Sequence, residues 1–214
     1  GAISAYSDRF TLTIDGKSAH GARPHQAIDP TCALSNVLST IHSIVPRCIS
    51  PTEPAVISIG QIQCGTTHNV IPDQCTITGT IRTQHTATRK QLHDHLYQLN
   101  TSSTSVTGCK ITCKIESGTP AIINQSPYID WIRDAVHTCC GPTSAIALET
   151  ANMASEDFGY YLETCPGGFM RIGARAPNTP LTYAHTPAFY PDTDAALVGG
   201  AVLAQLARIA STRC

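Results

Sequence analysis

With 14 Lys and Arg against 15 Asp and Glu, the 214-residue chain carries a formal charge of −1, so it has no field to gather a polyanion, and no nucleic-acid partner is expected. Its longest apolar run, Asp194 to Ala210, is interrupted by glycines, Gln205 and Arg208, and no membrane partner is expected either. Gly1 to Phe10 lacks the basic-then-hydrophobic order of a signal peptide, which makes the cytoplasm the expected location.

Gly1 to Asp8 is small, polar and unpatterned, and reads as a linker. Arg9 to Asp15 alternates Phe10, Leu12 and Ile14 with threonines, a half-buried strand closing on Asp15-Gly16. Lys17 to His25 is a loop with two histidines and an arginine. Asp29-Pro30 then opens a helix whose stripe is Cys32, Ala33, Val37, Leu38, Ile41 and Ile44, ending before Pro46. Two strands follow, Ala55 to Gln63 and Cys75 to Thr83, joined by the polar stretch Gly65 to Pro72 that carries His68 and Asn69. Thr88 to Asn100 reads as a helix with Leu92, His95, Leu96 and Leu99 inward. After a Ser/Thr turn, Lys110 to Glu116 alternates as a strand. The order strand, helix, strand, strand, helix, strand predicts a ferredoxin-like α+β sandwich over 9–117.

From Gly118 the pattern changes. Pro127 to Cys140 is an amphipathic helix, Ala145 to Leu148 and Gly168 to Gly173 are short apolar strands, and Ser155-Glu156-Asp157 caps a helix through Leu162. A long loop with Tyr183, His185 and Tyr190 leads to a last helix from Asp192, in which Gly199 and Gly200 are tolerable only where something packs closely. Residues 118–214 have too few strands for a complete doubly wound domain.

The ten cysteines fit neither a zinc-ribbon spacing nor a small disulfide scaffold. They are expected to be reduced, mostly buried thiols. The vicinal Cys139-Cys140 has no activating charge nearby to suggest redox chemistry.

Four places could carry chemistry. Asn69 at a strand edge can aim an amide at a substrate oxygen, and Arg82 at the end of its strand can take a carboxylate with a bidentate fork. His20 lies in a loop, and Glu156 with Asp157 in a first helical turn where the helix dipole alone explains carboxylates. His185 sits among prolines and tyrosines, and His25 and His68 read as polar loop side chains.

Seven motifs in order resemble one family. They are Asp8-Arg9-Phe10; Gly16 with Ala19-His20 and Pro24-His25; Ala27 to Pro30; Gly65-Thr66 with Asn69 to Asp73; Gly79 to Thr83; Ser155 to Phe158 with Tyr160 to Leu162; and Ala184 to Pro187. The chain resembles the C-terminal part of the zinc-dependent aminoacylase and carboxypeptidase metallopeptidases, in the branch of hippurate hydrolase, N-acyl-amino-acid amidohydrolases and plant auxin-conjugate amidohydrolases.

That resemblance implies an α/β chain: a ferredoxin-like lid and dimerisation domain, then the C-terminal part of an α/β metallopeptidase catalytic domain (118–214). It implies hydrolysis of an N-acyl amino acid amide with two divalent metal ions, zinc or else manganese or cobalt. It also implies a homodimer in which His20 reaches the partner subunit's site to stabilise an oxyanion, with Asn69 assisting. Arg82 would bind the substrate carboxylate, Glu156 would face the substrate or lie near the metals, and His185 would ligate a metal. The family's other ligands and its general-base glutamate lie upstream of the lid, so this chain alone is expected to be inactive. A non-catalytic dimerisation or binding module derived from such an enzyme is the alternative.

Overall fold

The computed structural model describes residues 1–102 and 107–213, so part of the expected Ser/Thr turn, and Cys214, lie outside the described residues. The chain divides into two compact units. The first comprises Ala2–Ile122 together with Ala151–Tyr160, and the second comprises Gly1, Ile123–Thr150 and Tyr161–Cys214.

In the first unit, β1 (Tyr6–Asp15), α1 (Pro30–Cys48), β3 (Ala55–Cys64), β5 (Gln74–Thr83), α2 (Thr86–Ser102) and β6 (Lys110–Glu116) follow the expected order. They build an antiparallel sheet in the order β3-β5-β1-β6, the ferredoxin-like arrangement. Phe10, Leu12 and Ile14 of β1 and Cys75, Ile77 and Ile81 of β5 turn one sheet face into the core, where Ala33, Val37, Ile41 and Ile44 of α1 and Leu92, Leu96 and Leu99 of α2 cover it. The opposite face carries the alternate residues, including Thr11, Thr13, Thr76, Thr78 and Thr80. Position 79 lies on the core face, and it is a glycine because a Cβ there would stand 2.2 Å from the Ser58 carbonyl oxygen and 2.5 Å from the Phe10 ring. Between Ile59 and Gln61 the β3 register shifts at Gly60, and this bulge returns Ile62 opposite Ile77.

The departures from expectation in this unit are local. β1 begins at Tyr6, inside the stretch read as a linker, because Ser7 N–H donates to the Thr119 carbonyl (3.0 Å) and Asp8 is buried in a polar cluster. Helix α1 continues through Pro46 to Cys48, as a proline in the last turn removes only one backbone bond. Its Asp29 cap accepts from Thr31 N–H at 2.8 Å. Cys32, expected on the inner stripe, is exposed.

The second unit is built on α3 (Ser126–Cys140) and α5 (Asp194–Arg213); between them α4 (Phe158–Thr164) runs from one unit into the other. The expected strands at 145–148 and 168–173 do not form, because neither finds a ladder partner among the described residues. Asn124 instead clamps Phe169 by two hydrogen bonds, from its amide to the Phe169 carbonyl (2.9 Å) and from Phe169 N–H to its side-chain oxygen (2.7 Å). Gly199 is buried, and a Cβ on it would reach to 2.7 Å from Ile172, so the close packing that this glycine needs is present. By length and composition α5 is long and apolar enough to cross a membrane, which a reading that counted its glycines and polar residues as breaks did not anticipate. Its flank meets α3 through Arg213 to Asp134 (3.1 Å) and through Cys139 Sγ to the Ala201 carbonyl (3.6 Å).

The Asp8 side chain is 0% exposed and accepts from Arg89 Nε and Nη2 (2.7 Å each) and from Gly118 N–H (3.1 Å), and it pairs with His93 Nε2 at 2.8 Å. Burial pushes its carboxyl up, but the bonds from Arg89, Gly118 and His93 outweigh it and hold the pKa below the usual value. A depressed folded-state pKa contributes stability that is fully present above the unfolded value, about 3.9, and is lost as pH falls through the lowered one. Asp8→Ala should therefore cost about 3–5 kcal/mol at neutral pH in urea unfolding and flatten the acid limb of the stability curve. An acid limb identical to wild type would contradict this assignment.

Candidate active site

The loop after β1 and the loop between β3 and β5 meet as a two-stranded ribbon. In it β2 (Ala19–His20) pairs with β4 (Val70–Ile71), and His20 stands opposite Val70. Gly21 N–H donates to the Asn69 carbonyl at 2.8 Å, and a Cβ on Gly21 would approach that oxygen to 3.1 Å. His20 and Asn69 are thus neighbours on one exposed ribbon.

Their hydrogen bonds set what each can do. His20 Nδ1 accepts from Ala22 N–H (3.1 Å); a backbone N–H can only donate, so in the neutral ring the proton is on Nε2. Asn69 Oδ1 accepts from Thr67 Oγ1 (3.1 Å). Each residue therefore spends its acceptor locally and keeps its donor, Nε2–H or the amide N–H, for a ligand. A donor at the end of β2 and another in the turn just before β4 are of the type that suits an oxygen gaining negative charge.

At the base of the same hairpin, Cys64 of β3 and Cys75 of β5 are register partners and are joined by a disulfide, with their Cα atoms 4.3 Å apart. This corrects the expectation of reduced thiols throughout. Opposed positions of an antiparallel pair lie within disulfide reach, and the signal in the sequence was that both cysteines end strands of one predicted hairpin. The expectation of burial is corrected too: of the unpaired cysteines described, Cys32, Cys48, Cys139, Cys140 and Cys165 are exposed, and only Cys109 is buried. Burial raises the Cys113 thiol to about 11.

Arg82 projects from β5 on the polar sheet face, opposite Val56 of β3 and Ser7 of β1. Its Nη1 donates to Ser155 Oγ at 2.8 Å in a partly buried bond. The sequence marks Ser155 as part of a helix cap and of a motif, but its bond to Arg82, 73 residues away, leaves no local trace there. The stretch 151–160 is tied to the same unit by Ala5 N–H to the Ala154 carbonyl (2.9 Å) and by Gln84 Nε2 to Met153 Sδ (3.5 Å). Glu156, next in the chain, is exposed, and its carbonyl accepts from Gly159 N–H (3.4 Å) in the first turn of α4. Arg82 and the 155–156 stretch therefore form one group, and His20 with Asn69 another.

His185 belongs to the second unit, where it is exposed with a left-handed φ of 66°. Among the described residues no three His, Cys, Asp or Glu side chains gather as a metal site. The described donors thus do not by themselves make up a site for the expected pair of metals.

The model of the peptidase dimerisation domain matches residues 6–103. These residues belong to the M20 peptidase dimerisation-domain family. Over nearly the whole chain the similarity extends to M20 hydrolases. An N-acetyl-L-cysteine deacetylase of Bacillus subtilis is 33% identical over 91% of this chain and 45% of its own length, and an IAA-amino acid hydrolase of Arabidopsis thaliana is 32% identical over 97% and 48%. A dinuclear metal-binding M20 peptidase from Bacillus subtilis superposes with a TM-score of 0.76 at 27% identity, over 98% of this chain and 51% of that one. The chain spans about half the length of the curated relatives it matches.

Within the M20 dimerisation domain the disulfide is directly testable. Alkylation of the native, unreduced protein should modify Cys32, Cys48, Cys139, Cys140 and Cys165 and spare Cys64 and Cys75, which mass spectrometry should find as one cross-linked peptide. Alkylation of Cys64 without prior reduction would refute the link.

Proposed function

We propose that this chain is part of a metal-dependent amidohydrolase that cleaves the amide of an N-acyl amino acid, and that it acts as a homodimer through residues 6–103. The observation that carries the reading is the pair of donors on the β2–β4 ribbon, His20 Nε2–H and the Asn69 amide, left free by the bonds that occupy their acceptor atoms. Donors fixed before the reaction stabilise charge that develops on a carbonyl oxygen without reorganising. Names of similar proteins, a deacetylase of N-acetyl-L-cysteine and a hydrolase of IAA-amino acids, support the same substrate class.

Each residue has a part in this reading. Arg82, pre-set by Ser155, grips the free carboxylate of the amino acid, and a guanidinium does so with two parallel bonds. Glu156 faces the substrate beside it. His20, with Asn69 assisting, holds the carbonyl oxygen of the substrate in the partner subunit's site. Divalent metals, of which zinc suits a histidine donor, would supply Lewis-acid chemistry when bound, and His185 is the residue of this chain that we propose to reach one. A non-catalytic dimerisation module is the competing reading, and retained hydrolysis separates the two.

His20→Ala should lower kcat by about 10²–10³-fold while leaving the protein's metal content unchanged. Mixing it with Arg82→Ala should restore turnover that neither variant has alone, since a mixed dimer then holds one intact site. Unchanged turnover in His20→Ala would remove His20 from the reaction.

A further inference from the structure

Where α1 ends and β3 begins, the chain turns through Ser50 to Pro54 and leaves a cleft of about 460 Å³. Its walls are mainly apolar: Val45 and Ile49 at the end of α1, Pro54, Val56 of β3, and Met153. Glu53 is the one carboxylate that lines it. Nothing in the reading above uses this cleft.

Three connections attach it to Arg82. Val56 is the direct cross-strand partner of Arg82, so the two side chains rise from the same sheet face. Met153 precedes by two residues the serine that holds the Arg82 guanidinium. Gln84, two residues beyond Arg82, fixes Met153 from the other side by its bond to Sδ. Val56 and Met153, which line the cleft, are therefore also what joins it to the Arg82 neighbourhood.

The chemistry of an N-acyl amino acid then selects the occupant. Its carboxylate and its side chain leave the same Cα, whereas the acyl group lies beyond the nitrogen. A carboxylate held by Arg82 thus offers the neighbouring cleft the amino acid's side chain. The charge at the cleft also selects. Glu53 Oε2 accepts from Thr88 Oγ1 (3.0 Å) and pairs with His85 Nδ1 (2.6 Å), and the His85 bond, with that from Thr88, keeps its carboxyl below the usual range and so ionised at neutral pH.

We propose that this cleft is the side-chain subsite of the Arg82 site: it takes an apolar side chain of the leucine, methionine or phenylalanine class and turns acidic side chains away. The inference rests on the amidohydrolase reading and adds to it which amino acid is released. Each methylene settled in an apolar pocket is worth roughly 10-fold or more in specificity.

The test is kcat/KM of the enzyme as purified from its source on the N-acetyl derivatives of L-leucine, L-methionine, glycine, L-glutamate and L-lysine, which differ only in the side chain. Leucine and methionine should exceed glycine by at least about tenfold, with glutamate below glycine. Met153→Ala and Val56→Thr should shrink the leucine-to-glycine ratio, chiefly through KM for leucine. Equal rates for glycine and leucine, or a preference for glutamate or lysine, would overturn the subsite while leaving the amidohydrolase reading in place. Hydrolysis of none of the five would overturn both. Titrating N-acetyl-L-leucine into the whole enzyme, stripped of metal and methyl-labelled at methionine, gives a readout free of turnover: the Met153 methyl resonance should shift with leucine and not with N-acetylglycine, and a resonance indifferent to both would overturn the subsite.

Discussion

One buried carboxylate organises the first unit. Asp8 sits at the start of β1 with its side chain out of water, and it draws hydrogen bonds from two nitrogens of Arg89, from His93 and from the Gly118 N–H. An ionised carboxylate without those donors would be costly to bury, so its burial obliges α2 and the chain after β6 to meet β1 at this point. Arg89 in turn lies over the Tyr6 ring, 4.7 Å from its centre. Asp8 therefore joins three parts of the chain that are far apart in sequence.

The consequences reach Arg82. With Gly118 held at Asp8, Ser7 pairs with Thr119 and Ile3 with Ile122, so residues 2–8 and 118–122 run side by side. Ala5 and Ile3 then hold Ala154 and Asn152 by backbone bonds, and this sets Ser155 against Arg82. The glycines at the crossing fit the same account. A Cβ on Gly118 would stand 2.0 Å from the Ser7 carbonyl oxygen, and one on Gly159 2.5 Å from that of Pro120. The guanidinium thus owes its position to a chain of backbone contacts that begins at a carboxylate with no part in the chemistry.

The ferredoxin-like sandwich was legible because each of its elements has a one-sided pattern: the β1 and β5 alternations and the α1 and α2 stripes each name a single core-facing side. The strands expected at 145–148 and 168–173 failed for the opposite reason. An apolar run specifies a strand only when a neighbour completes its ladder, and Ile146, 84% exposed, meets none in its own unit. At the site, His20, Asn69 and Arg82 could be named from residue type and motif, and the tie between the first two follows from the β2–β4 pairing. Ser155 as the partner of Arg82 is a contact across 73 residues, which no local window contains, whereas the link between Cys64 and Cys75 needed the register of a hairpin that the sequence does mark. His185 remains a motif-based proposal for a metal ligand, since no cluster of donors gathers around it among the described residues.

We propose that Arg82 grips the free carboxylate of an amino-acid substrate. The most direct measurement compares kcat/KM for N-acetyl-L-leucine with that for N-acetyl-L-leucinamide, in the wild-type enzyme and in Arg82→Ala. Wild type should favour the acid by about 10- to 100-fold, and the variant should lose this preference by slowing only on the acid. Equal rates on acid and amide in the wild type, or a preference that survives in Arg82→Ala, would contradict it.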